Sequence, residues 1–100
     1  MSKLTVEVDH SLGWEEATRR LKDEIQRATA SGELPVSDVS QQWQDNILTF
    51  GFHAMGLKIA GTLTVEDTRV VVETKLPLVA IAFKGMIRDQ IRHELGELLA

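Results

Sequence analysis

Residues 41–76 read QQWQDNILTFGFHAMGLKIAGTLTVEDTRVVVETKL, and their alternation of apolar and polar side chains decides the fold. Trp43, then Leu48, Phe50, Phe52 and Ala54, then Leu57, Ile59, Leu63 and Val65, then Val70, Val72 and Leu76 recur at the two-residue period of half-buried strands. The pattern can be tested against itself, because a one-residue slip sends every side chain to the other face. With Asp45-Asn46 and Met55-Gly56 as two-residue loops, Trp43 lies opposite Leu48, Phe50 opposite Gly61 and Phe52 opposite Ile59. A two- or four-residue loop around Asp67-Thr68 sets Val65 against Val70 and Leu63 against Val72. Every pair matches apolar with apolar, or an aromatic ring with the glycine it covers. Four strands in a meander are therefore expected. Their opposite face, with Gln42, Gln44, Thr49, His53, Lys58, Thr62, Thr64, Glu73 and Lys75, is left to water.

Outward from the meander, Leu4, Val6 and Val8 alternate with Lys3, Thr5 and Glu7 and predict a further strand, placed at a sheet edge. Ser11 is the expected N-cap of a helix whose buried stripe is Ala17, Leu21, Ile25 and Ala28. Its charged residues pair at i,i+4, as in Glu16–Arg20 and Arg19–Asp23, which marks a solvated face. Ser31-Gly32 predicts its end, with Pro35 in the loop beyond. A second helix is expected from about Lys84, with Phe83, Ile87, Ile91, Leu95 and Leu98 inward and Arg88, Asp89, Arg92 and Glu97 outward. Gly85 and Gly96 weaken it, so fraying is expected at its end.

The whole is one α+β domain over residues 1–100, a two-layer β-α-β-β-β-β-α sandwich with an antiparallel sheet and both helices on one face. That order is the one found in a repeat of the TATA-binding protein, and it is close to a reduced helix-grip fold.

Composition narrows the function. The chain has no cysteine, which removes disulfides, thiolate chemistry and cysteine-bound zinc. Its net charge is −4, with basic residues interleaved among acids, so nucleic acid is not an expected partner. The start shows no signal-peptide pattern, and Leu76 to Phe83 is too short to span a bilayer, so a cytoplasmic, non-transmembrane protein is expected.

No motif for chemistry emerges. Asp9-His10-Ser11 has the residue types of a hydrolase triad, but three consecutive residues cannot converge as nucleophile, base and orienter. His10, His53 and His93 lie on separate elements without metal-ligand spacing and are read as surface or capping residues. His93–Glu97 is a one-turn ion pair, and Glu66-Asp67 is a hairpin tip. No catalytic residue, metal site or cofactor is expected, and the protein is read as a non-enzyme.

One segment exceeds the needs of the core. Leu76-Pro77-Leu78-Val79-Ala80-Ile81-Ala82-Phe83 is apolar on every side, while a single sheet can cover only one. Two readings follow: the segment tucks under the helix end and closes the core, or Leu76, Leu78, Val79, Ile81 and Phe83 form an interaction surface, with Trp14 either a second anchor or a cover for the sheet edge.

The chain also resembles the putative polyhydroxyalkanoic acid system proteins, a family of short bacterial proteins. The resemblance is carried by His10-Ser11-Leu12-Gly13, Glu16-Ala17, Arg19-Arg20-Leu21, Phe52, Ala54-Met55-Gly56, Gly61, Leu63, Val65, Leu76-Pro77 and Phe83-Lys84-Gly85. It implies a cytoplasmic, granule-associated accessory of polyester storage, and it brings no catalytic or ligand-binding residues with it. The expected partners are a granule protein or a polyester or lipid surface, and a second copy of the chain through the first strand. The alternative is a small helix-grip-like module holding an acyl or hydroxyacyl ligand between the sheet and the last helix.

Overall fold

The computed structural model describes residues 2–32, 36–54 and 56–100, with Ser2 by its backbone alone. Strand β1 (Ser2–Asp9) leads to helix α1 (Trp14–Ser31), then to the meander β2 (Ser37–Gln44), β3 (Ile47–Ala54), β4 (Leu57–Val65) and β5 (Arg69–Leu76). A short 3-10 segment (Leu78–Phe83) runs into helix α2 (Lys84–Leu98). All neighbouring strands are antiparallel, in the spatial order β1-β5-β4-β3-β2.

That order puts β1 and β2 at opposite edges, so α1 must carry the chain across the sheet. Four strand spacings amount to about 19 Å, and eighteen helical residues reach about 27 Å. A diagonal crossing fits. At its start the Trp14 N–H donates to Asp67 Oδ1 at 3.3 Å, and near its end Gln41 Nε2 donates to Thr29 Oγ1 at 3.2 Å.

The register agrees with the apolar alternation. Trp43 pairs with Leu48, Leu48 with Leu63, Leu63 with Val72 and Val72 with Val6, an apolar row across all five strands. The next row joins Phe50, Gly61, Thr74 and Leu4. Between the helices and the sheet Leu4, Val6, Leu21 of α1, Val65, Val70 and Leu76 are essentially inaccessible to water. Thr74 is buried among them and satisfies its hydroxyl by donating to the Ala60 carbonyl at 2.8 Å.

Several local expectations are corrected. Helix α1 is capped at Gly13, not Ser11, because Gly13 takes φ 78° and ψ 158°, a conformation essentially confined to glycine. Gly32 ends the helix in the left-handed region, as the Ser31-Gly32 signal predicts. The end of α2 is held: Leu99 is buried, and Arg20 Nη1 donates to the carbonyls of Leu98 at 3.4 Å and Ala100 at 2.9 Å. Pro35 and Met55, expected in loops, lie outside the described residues.

Candidate interaction surface

Strand β5 must stop at Pro77, whose φ of −62° and missing N–H suit a turn better than a ladder. Its carbonyl accepts the first 3-10 bond, from the Ala80 N–H at 2.9 Å. With three residues per turn, such a segment can direct about one side chain in three at the core. Ala80 takes that place and is 4% exposed, while Leu78, Val79, Ile81 and Phe83 remain 73%, 66%, 39% and 54% exposed. Met86, one turn further on, is 68% exposed and extends the patch into α2.

Two of the six expected surface residues belong elsewhere. Leu76 is the last inward residue of β5 and is only 1% exposed, so the patch begins beyond Pro77. Trp14 is 43% exposed but sits at the other end of the sheet. There it lines an open depression of about 430 Å³ with Asp45, Asn46, Val65, Glu66 and Asp67. Met86 was legible in the sequence, since it follows Phe83 by three residues and falls off the Ile87–Ile91–Leu95 stripe.

Phe83 also leaves the helical stripe on which its spacing placed it. Ile87, Ile91, Leu95 and Leu98 pack against the core from α2, and none is fully buried. Helix α2 lies over β1, the edge strand, so its far flank has no sheet beneath it. Between α2 and the sheet the floor is filled by Leu4, Val6, Leu76 and Ala80, each 4% exposed or less.

The histidines and several other ionisable groups are occupied with structure. His10 is buried; its Nδ1 accepts the Leu12 N–H at 3.2 Å while its Nε2 lies 2.9 Å from the Glu66 carbonyl. Nε2 must therefore carry the proton, and the ring ties the β1–α1 turn to the β4–β5 hairpin. His53 faces Asp38 at 3.3 Å and His93 faces Glu97 at 3.3 Å, both at the surface. Among the described residues no three His, Asp or Glu side chains converge as a metal site would require. Hydrogen bonds from Arg19 and then Arg20 hold the Glu16 carboxyl down at about 2, and the same Arg20 reaches the end of α2.

Several residues that carry the family resemblance thus have identifiable work in the fold: His10 and Gly13 in the turn, Glu16 and Arg20 in the helix tie, Ala17 and Leu21 in the core. Phe83, which also carries the resemblance, lies instead on the exposed patch. No curated protein and no solved structure matches the chain. The family model described as "Putative polyhydroxyalkanoic acid system protein" matches residues 4–99, and the chain belongs to that family.

Proposed function

We propose that the protein is a non-enzymatic accessory of polyhydroxyalkanoate storage that docks on the granule surface, or on proteins coating it, through Leu78, Val79, Ile81, Phe83 and Met86. The observation that carries the reading is the exposure of these five large apolar side chains within nine consecutive residues. Scattered apolar residues on a surface need no explanation, but a contiguous group marks a contact. The family description supplies the polyester system as context. No acid–base or nucleophilic constellation among the described residues supports a reaction instead. On this reading the protein works in the cytoplasm at the granule, and no helix of the described residues is long and apolar enough to cross a membrane.

The test is co-sedimentation of the purified chain with polyester granules. Burying a side chain such as Leu or Phe contributes about 1.5–3 kcal/mol, so Phe83→Asp should weaken binding at least about tenfold. A wild-type protein that stays in the supernatant, or a Phe83→Asp variant that binds as wild type does, overturns the reading.

A further inference from the structure

Between Thr74 and Arg88 the chain carries Lys75, Lys84 and Arg88 and no acidic residue. The other residues hold eight basic side chains against fifteen acidic ones. The exposed apolar segment thus lies in a stretch that carries three basic side chains and no acidic one, in a chain whose net charge is −4.

Most of the remaining basic side chains are already matched. Arg19 and Arg20 hold Glu16, Arg27 holds Glu24, Arg69 holds Glu66 and Glu7, and Lys3 holds Glu73. Lys75, by contrast, makes no ion pair among the described residues, and Arg88 meets only its neighbour Asp89 at 3.8 Å. An uncharged polyester gains nothing from these cations. A surface of anionic headgroups over an apolar interior matches both features, since basic side chains reach the headgroups while their apolar neighbours sink about 5–10 Å below them.

We propose that the 3-10 segment and the first turn of α2 are an anchor for an anionic phospholipid interface. Leu78, Val79, Phe83 and Met86 enter the acyl layer, and Lys75, Lys84 and Arg88 lie at headgroup level. The acidic remainder of the chain is repelled by the same surface, which fixes the orientation with this edge downward. The proposal rests on the docking role of the patch given above and specifies its partner.

The purified chain is floated with vesicles of mixed phosphatidylglycerol and phosphatidylcholine, and with phosphatidylcholine alone. Binding is expected to the anionic vesicles, and raising the salt until the Debye length falls to about 3 Å should lower it at least about fivefold. The double substitution Lys75→Gln/Arg88→Gln should weaken it about tenfold, and Val79→Asp should remove it. Arg19→Gln/Lys22→Gln makes the same change in net charge on α1, away from the segment, and should bind as wild type does. Equal binding to neutral and anionic vesicles, or equal loss in both double variants, overturns the proposal. The granule assay run in parallel separates the two readings: granule binding without vesicle binding overturns the lipid anchor alone, and failure on both surfaces overturns the docking role as well.

Discussion

Gly61 stands opposite Phe50 in the β3–β4 ladder, and a Cβ there would fall 2.2 Å from the Glu73 carbonyl oxygen and 2.9 Å from Thr74 Cα. Both are backbone atoms of β5, so no side-chain rotation relieves the clash. Gly61→Ala should destabilise the protein by about 3 kcal/mol, read as a lower urea midpoint. Gly85→Ala, whose Cβ would meet only Arg88 Nη2 at 3.7 Å, should not. The alternation identified the Phe50–Gly61 pair. It did not reveal the approach of β5 on the other flank, because strand pairing in sequence says nothing about how closely two backbones are drawn together. Glu16 acts at the same scale. Its carboxyl is held at about 2, below its ordinary 4.5, by hydrogen bonds from Arg19 and Arg20. A depressed carboxylate contributes stability that is complete above about 4.5 and lost as pH falls toward about 2. Wild type should therefore lose its stability lead over Glu16→Gln across that window, measured as converging urea midpoints.

At the scale of elements, the 3-10 segment separates core from surface within single residue steps. Val79 is 66% exposed and Ala80 is 4% exposed. Val79→Ser should change stability by no more than about 0.5 kcal/mol, whereas Ala80→Asp places an unpaired carboxylate in the core and should abolish cooperative unfolding. A calorimetric scan of both variants decides it. The excess apolarity of this stretch was legible in the sequence, but its division between inside and outside was not. A two-residue period names the face of each strand residue directly, which is why every pair expected in the meander recurs in the structure. A 3-10 turn after a proline has no such rule. Phe83 shows the cost of extending helical spacing backward past the true start of α2, since it joins the stripe on paper and stands 54% exposed in the fold. The beginning of α1 escaped for another reason. Its capping acceptor, Asp67, comes from a hairpin 53 residues away, and local signals favoured Ser11.

For the whole molecule the two sheet edges differ. Strand β2 is bulged between Ser37 and Ser40, and Asp38 takes φ 52°, irregularities that discourage pairing with another chain. Strand β1 keeps an unbroken register with β5 from Ser2 to Asp9. The bond from the His10 N–H to the Thr68 carbonyl fixes its phase, so the even-numbered residues of β1 bond to β5. Lys3, Thr5 and Glu7 then direct their N–H and C=O groups outward. A second copy added antiparallel about Thr5 sets Lys3 of each chain opposite Glu7 of the other. That extends the existing Lys3–Glu73 and Arg69–Glu7 contacts into a line of alternating charge across the junction. Helix α2 lies over β1, so the sheet must curve enough at the junction to keep the two copies of α2 about 8 Å or more apart. On these grounds a homodimer through β1 is expected, with a doubled mass by light scattering. Thr5→Pro removes an outward N–H and leaves the bonds to β5 in place. It should yield a folded monomer with the circular dichroism of wild type. A wild-type protein that remains monomeric at its highest soluble concentration, or a dimer that survives Thr5→Pro, removes β1 as the interface.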